Sequence, residues 1–125
     1  MIKIYQDDWN KIPTEVKQKC LGLTMRGDSG MLFNINRIVN FGAAHKIWYL
    51  MEDGDVVAWA QATMDYDERE YDIMLYVRRD RRCKGYGRQL FRRARSWVKR
   101  QGMPYFFFAA YENKSFFQKV APEMF

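Results

Sequence analysis

The stretch "VRRDRRCKGYGRQL", Val77 to Leu90, places six cations and two glycines between a strand-like run and a helix-like run. A glycine pair framed by arginines suits a phosphate, the same charges suit a nucleic-acid surface, and a basic glycine-bearing segment suits a solvated turn. The flanks decide among these. Upstream, "YDIMLYV" (71–77) is an apolar, aromatic run of strand length. Downstream, "YGRQLFRRARSWVKRQG" (86–102) sets Tyr86, Leu90, Ala94, Trp97 and Val98 on one helical face, with Arg88, Arg92, Arg95 and Lys99 on others. Gly102 and Pro104 end that helix. "YFFFAAY" (105–111) is then a continuous apolar run, as expected of a strand buried on both faces in a parallel pair. Together these predict a strand–helix–strand unit with a right-handed crossover.

Toward the N-terminus the period changes. "HKIWYLM" (45–51) and "VVAWAQATM" (56–64) read as strands joined by "EDGD", with Asp53–Gly54 as a hairpin turn. "DYDERE" (65–70) is an acidic loop leading into the next strand, so three antiparallel strands precede the basic segment. "IKIY" (2–5) alternates as a first strand, and Pro13 suits position N1 of a helix continuing through "TEVKQKCLGL" (14–23), with Val16, Cys20 and Leu21 on one face. "MLFNINRIVNFG" (31–42) reads as a second helix with Leu32, Ile35, Ile38 and Val39 as its stripe and Gly42 as its stop. "NKSFFQKV" (113–120) reads as a last short helix. The predicted order is β-α-α-β-β-β-α-β-α, a mixed α+β fold in a single domain over residues 1–125.

Composition agrees with a packed domain, since 48% of the 125 residues are hydrophobic and 17% aromatic. No apolar run reaches the roughly 18 residues a membrane span needs, and "MIKIYQDDWN" lacks the apolar core of a signal peptide, so a cytoplasmic protein with no membrane association is expected. Cys20, Cys83 and the single His45 show no metal-ligand spacing, and no metal is expected. The net charge of +6 is concentrated: Arg78 to Arg100 carries eleven Lys or Arg against Asp80 alone, leaving the rest of the chain at −4. Such a segment attracts an anionic partner.

Placed between strand and helix, the backbone N–H groups of the glycine loop are orphan donors at a helix N-terminus, where the helix dipole adds to their pull on an anion. Gly85 and Gly87 let the backbone approach that anion closely. No Lys-Ser or Lys-Thr follows, so this is no Walker loop, and no third glycine follows, so it is no dinucleotide fingerprint. The pattern resembles the acetyl-coenzyme A loop of the GNAT family of N-acetyltransferases. That family carries Arg or Gln, two residues, Gly, one residue, then Gly or Ala, and Arg82, Cys83, Lys84, Gly85, Tyr86 and Gly87 match each fixed position. Val77, five residues before Arg82, and Leu90 in the following helix match as well. The resemblance covers nearly the whole chain.

The resemblance implies acetyl-CoA (coenzyme A) as cosubstrate and transfer of its acetyl group to a primary amine by direct attack. The N–H groups from Cys83 to Arg88, with Tyr86 among them, would hold the pyrophosphate. The Tyr76 and Val77 backbone would pair with the pantetheine arm, Lys84 and Arg88 would reach the 3′-phosphate, and Asn113 would lie beside the pantetheine. Asn113 also reads as a plain helix cap.

Three departures from the family pattern stand out. Phe117 occupies the place of the tyrosine that protonates the leaving thiolate, leaving Tyr111 as a substitute or simply as the end of a core strand. Tyr71 occupies the place of the family's glutamate base. Glu70 and Asp72 flank it, and alternation points both to the opposite face unless a bulge turns one round, so they read as solvent-side carboxylates, or else water is the base. Finally, family members add two strands after the last helix, whereas this sequence stops five residues after Val120, a C-terminally shortened version of the fold. The Tyr105–Tyr111 strand would then be a sheet edge, predicted to be covered by a second copy in a homo-oligomer or by another protein.

Two rivals accompany the acetyltransferase reading, for which the acidic 65–72 stretch suits a cationic acceptor. One is a GNAT-fold binding or structural subunit without catalysis. The other is association with nucleic acid through the basic helix, whose Arg92, Arg93, Arg95, Lys99 and Arg100 lie too far along to serve a pyrophosphate, and to whose surface Arg78, Arg79 and Arg81 are assigned.

Overall fold

Asp53 and Gly54 both take positive φ, 53° and 81°, which is the two-residue turn that matches the twist of an antiparallel hairpin. In this computed structural model, which describes residues 1–25, 45–65, 69–106, 118, 119 and 122, that turn joins strands β2 (His45–Glu52) and β3 (Asp55–Asp65). β1 (Ile2–Asp8) pairs antiparallel with β2, and β4 (Glu70–Val77) pairs antiparallel with β3. β5 (Tyr105–Phe106) lies parallel to β4, with Tyr71 opposite Tyr105 and Asp72 opposite Phe106. The sheet order is therefore β1-β2-β3-β4-β5.

β1 runs three residues beyond the predicted "IKIY". Gln6, Asp7 and Asp8 have poor strand propensity, but they pair with Trp48, Ile47 and Lys46, and sheet pairing outweighs local preference. Helix α1 (Thr14–Met25) follows a 3-10 turn at Trp9–Lys11. Its first bond runs from the Lys17 N–H to the Pro13 carbonyl, so Pro13 is the N-cap rather than N1 and the helix starts one residue later than predicted. Cys20 and Leu23 are buried and Val16 is partly buried, while the side chain of Leu21 lies outside the described residues. The predicted helix at 31–42 also lies outside them, as does most of 113–120, where only Gln118 and Lys119 are described and are helical.

Helix α2 (Tyr86–Arg100) crosses the opposite face of the sheet from α1. Ala58, Ala60 and Ala62 of β3 form a row of small side chains, and Leu90, Phe91, Ala94 and Val98 of α2 share their core. The buried face of α2 is wider than the predicted stripe, because Phe91 is fully buried and meets Tyr105 of β5 edge-on at 6.1 Å. Trp97 is only partly buried, yet it bridges Trp48 and Tyr71 in edge-to-face contacts of 5.9 and 5.2 Å. After Arg100, Gly102 takes φ 72° and its N–H reaches the Lys99 carbonyl, ending the helix as predicted. The Pro104 carbonyl then accepts from the Tyr71 N–H and starts the parallel pairing.

The second face carries its own core, from Trp9, Ile12, Cys20 and Leu23 to Trp59, Met74 and Tyr76. Covered on both sides, β3 and β4 bury residues of both parities. One irregularity lies near the loop: Leu50 pairs with Ala58 but Met51 with Val56, leaving Val57 as an extra bulged residue. The Val57 carbonyl accepts from the Arg78 N–H at 2.8 Å, which fixes where β4 ends and the loop begins.

Candidate functional site

The loop from Arg78 to Gly85 joins the end of β4 directly to the N-terminus of α2. Cys83 and Gly85 both take positive φ, 64° and 83°, and Gly85 occupies the N-cap of α2 with no side chain capping the helix. The first helical bond runs from the Gln89 N–H to the Gly85 carbonyl. The N–H groups of Cys83 through Arg88 thus have no backbone acceptor among the described residues, where an ordinary helix would use an Asp, Ser or Thr cap. Left-handed residues in such a turn aim successive N–H groups into one concavity, a nest for an anion. Lys84 and Arg88 are exposed beside it, while Tyr86 and Gly87 are buried beneath.

Arg82 has a role the sequence does not disclose. Its Nε donates to the Val77 carbonyl at 3.0 Å, and its guanidinium lies 5.8 Å from the Tyr76 ring. It ties the loop back onto the end of β4, stiffening the turn that presents the N–H groups.

Arg78 and Arg81 were expected to belong to the basic surface, and the structure corrects this. Arg78 pairs with Asp80 at 2.6 Å and Asp55 at 3.3 Å. Arg81 pairs with Asp80 and donates from Nε to Glu52, whose other oxygen accepts from the Tyr86 hydroxyl. Asp55 and Glu52 sit on the β2–β3 hairpin, 23 to 34 residues away in sequence, so spacing alone could not reveal these partners. These contacts clamp both ends of the loop, at Arg81 and at Tyr86, to one carboxylate. The Tyr86 hydroxyl and Arg81 hold Glu52 below the usual carboxylate range, and the same bond to Glu52 pushes the Tyr86 phenol up.

A lowered folded-state pKa means that the unfolded chain binds the proton more tightly. The Glu52 contribution is therefore present above the ordinary carboxylate range and is lost as pH falls through its depressed value. Glu52→Gln is expected to weaken acetyl-CoA binding several-fold with little change in turnover at saturation. Its thermal midpoint should lie below that of the parent at pH 7, with the gap closing as pH falls below the ordinary carboxylate range. Calorimetric titration and melts across that range check both expectations.

The carboxylates on β4 also differ from expectation. β3 and β4 stay in register from Asp65↔Glu70 to Ala58↔Val77, so no bulge turns β4. Tyr71 lies in the α2 core against Trp97, which makes the family's base position a packing residue here. Asp72 is not a solvent-side carboxylate but is fully buried, at 0% exposure, on the α1 face. Glu70, on the same face by alternation, is half-buried. The solvent-side expectation assumed one wet face, whereas this sheet is covered on both.

Asp72 has polar company that the sequence reading missed. Thr63 lies directly across from it, and Gln61 and Trp59 follow on the same face, opposite Met74 and Tyr76. Gln61 is 1% exposed, and neither its Oε1 nor its Nε2 has a hydrogen-bond partner among the described residues; the same holds for Trp59 Nε1. Three unsatisfied buried polar atoms at adjacent positions are rare in native cores and mark a place where a ligand or water completes the bonding. The available clue was "AWAQAT", two polar residues in a strand otherwise apolar on both parities.

Loop, strand and buried polar row thus lie in sequence along β4: the anion nest, Arg82 over Tyr76, then Trp59, Gln61 and the Thr63–Asp72 pair. The protein-family model described as "Acetyltransferase (GNAT) family" matches residues 3–120. The chain belongs to the GNAT acetyltransferase family. Solved GNAT-fold structures cover nearly all of it. An aminoglycoside acetyltransferase from an uncultured soil metagenomic sample, in complex with trehalose, is 15% identical with a TM-score of 0.68, over 98% of this chain and 88% of that one. Glucosamine-6-phosphate N-acetyltransferase from Arabidopsis thaliana is 18% identical with a TM-score of 0.66, over 96% and 90%. A predicted acetyltransferase from Clostridium acetobutylicum, solved with acetyl-CoA, is 14% identical with a TM-score of 0.66, over 97% and 89%. No curated protein matches the sequence.

Within this GNAT domain, Tyr111, Asn113, Phe117 and the rest of the Tyr105–Tyr111 edge beyond Phe106 lie outside the described residues. Among the described residues no cluster of His, Cys, Asp or Glu is arranged to hold a metal, and no helix is long and apolar enough to cross a membrane.

Proposed function

We propose that this GNAT domain transfers the acetyl group of acetyl-CoA to a primary amine, with the pyrophosphate held by the N–H groups of Cys83 to Arg88. The observation that carries this reading is the row of N–H groups at the start of α2 that have no backbone acceptor among the described residues, opened by the left-handed Cys83 and Gly85. Lys84 and Arg88 lie within the same exposed rim and would meet the 3′-phosphate. From Tyr76 to Asp72 the strand rises roughly 13 Å. A cosubstrate gripped at the loop and running beside β4 would therefore present its thioester near Asp72.

In the reaction the amine nitrogen attacks the thioester carbonyl, the C–S bond breaks, and the amine proton must leave. Asp72 is the carboxylate we assign to accept that proton, directly or through water. Glu70 lies further from the loop at the start of β4. The leaving thiolate takes up a proton, for which Tyr111 remains the candidate donor.

The acceptor is proposed to be a small amine rich in hydrogen-bonding groups, met by Gln61 and Trp59. The named activities of two structural neighbours, on an aminoglycoside and on glucosamine-6-phosphate, are of this kind. Replacing an unsatisfied buried amide by an apolar side chain of similar size is close to neutral or stabilising. Gln61→Leu should therefore leave the melting temperature unchanged or raised, while KM for the amine rises and KM for acetyl-CoA stays the same. A lower melting temperature with both KM values unchanged would make Gln61 a structural residue. The proposal as a whole is tested by incubating the protein with acetyl-CoA and a panel of amino sugars and polyamines, and following free thiol release.

A further inference from the structure

Helix α2 carries six cations and no acid, from Arg88 to Arg100. Several cations elsewhere are paired among the described residues: Lys11 and Lys46 with Asp8, Lys19 with Glu15, and Arg78 and Arg81 with the hairpin acids. On α2, by contrast, Arg88, Arg92, Arg93, Lys99 and Arg100 are exposed and have no carboxylate partner among the described residues. Arg95 is half-buried with its guanidinium 5.6 Å from the Phe91 ring. Like charges four apart, as at Arg88/Arg92 and Arg95/Lys99, each destabilise a helix by about 0.2–0.5 kcal/mol. Folding does not call for this arrangement, and an ordinary solvated face would intersperse acids.

Against this helix lies an open groove of about 260 Å³, lined by Gln6 of β1 and by Arg92, Arg93, Ser96 and Arg100. Gln6 Oε1 already accepts from Trp48 Nε1 at 2.9 Å, which leaves its amide nitrogen as a donor. Each lining residue can thus donate hydrogen bonds, three of them with positive charge, so the groove suits a group that only accepts. We propose that this groove and the α2 face that continues it bind the phosphate backbone of a nucleic acid, at a site separate from the acetyl-CoA loop.

Three observations favour this occupant. Beyond Arg88, which serves the cosubstrate, the cations from Arg92 to Arg100 extend over roughly 12 Å of helix, about three to four steps of a nucleic-acid strand at ~3.4 Å each, and more than one small anion spans. The groove is lined by polar and charged side chains with no aromatic or aliphatic anchor of the kind that centres protein–protein hot spots. An amphipathic helix lying in a membrane interface carries exposed apolar residues beside its charges, and among the described residues the exposed large hydrophobics are Met1 and Tyr5, neither on α2.

The test is fluorescence anisotropy of labelled 20-nucleotide single strands and 20-base-pair duplexes, in saturating acetyl-CoA, across 50–300 mM KCl. The expected result is binding at 50 mM that weakens steeply with salt. The triple variant Arg92→Ala/Arg93→Ala/Arg100→Ala should bind at least tenfold more weakly at 50 mM, with its log–log salt slope shallower by about 3 on duplex. Its melting temperature and acetyl-CoA affinity should match the parent. Absence of binding at 50 mM by ~100 μM protein overturns the proposal, as does an unchanged slope in the triple variant. Displacement of the oligonucleotide by acetyl-CoA overturns it by placing binding at the loop. Equal competition by polyglutamate of the same charge overturns it in favour of an acidic protein.

Discussion

Gly85→Glu is expected to lower acetyl-CoA affinity by more than ~100-fold while the fold survives. A Cβ at Gly85 meets no atom within 4 Å, so a β-carbon there has open space. The residue does stand at φ 83°, where a side chain costs about 1–2 kcal/mol. That strain alone would be felt mainly as a lower melting temperature. The added effect is electrostatic: a carboxylate at the N-cap of α2 would compete for the orphan N–H groups of Cys83 to Arg88 and repel the pyrophosphate. Like charges brought together at a binding site cost several kcal/mol, and each 1.4 kcal/mol is tenfold in affinity. Gly85→Ala separates the two contributions, since it carries the strain without the charge. It should lose stability by a similar amount while keeping most of the affinity, as read by calorimetric titration beside thermal melts.

Asp72→Asn is expected to lower kcat by about 10²–10⁴-fold, the usual worth of a positioned acid or base, with the acetyl-CoA dissociation constant unchanged. Asn keeps the shape of the side chain on a fully buried strand position, so packing around β4 should persist. A structural role for Asp72 predicts the reverse pattern, with lost stability and a kcat that falls only with the folded fraction. Glu70→Gln, at the half-buried start of the strand, is the comparison, and it should leave kcat within a few-fold of the parent.

The parts of this fold that were legible in the sequence are those governed by local chemistry. Asp53–Gly54 announces its turn because few residue pairs accept positive φ twice. Gly102 announces the end of α2 in the same way. The anion loop was legible because the glycines, the preceding apolar strand and the following amphipathic helix are contiguous in the chain. What escaped depends on contacts between distant segments. Phe91 was left off the buried face because the depth of that face is set by Tyr105, which arrives only after the helix ends. Arg78 and Arg81 looked like surface charge because their partners, Asp55 and Glu52, belong to another hairpin. Asp72 was read as a solvent-side carboxylate, and Gln61 and Thr63 were passed over, because alternation identifies two faces but cannot say that both are covered. The same limit that hid the loop clamp hid the polar row, since each requires knowing which strand lies beside which.

The two uses of positive charge in this chain are physically distinct. Around the loop, Arg78, Arg81 and Arg82 are engaged by protein acceptors, so the anion there is left to backbone N–H groups, flanked by Lys84 and Arg88. Along the rest of α2, Arg92, Arg93 and Arg100 are exposed and have no carboxylate partner among the described residues. A small phosphate ester fixed in one orientation suits the first arrangement, and a long flexible polyanion suits the second.

The central claim, that the N–H groups of Cys83 to Arg88 grip acetyl-CoA, is tested most directly by titrating ¹⁵N-labelled protein with acetyl-CoA and following backbone amides. The largest shifts should fall on Cys83 through Arg88, with smaller ones along Tyr76 and Val77, and all should disappear in Gly85→Glu. Saturable shifts confined to Arg92–Arg100, or no shifts at millimolar acetyl-CoA, would contradict it.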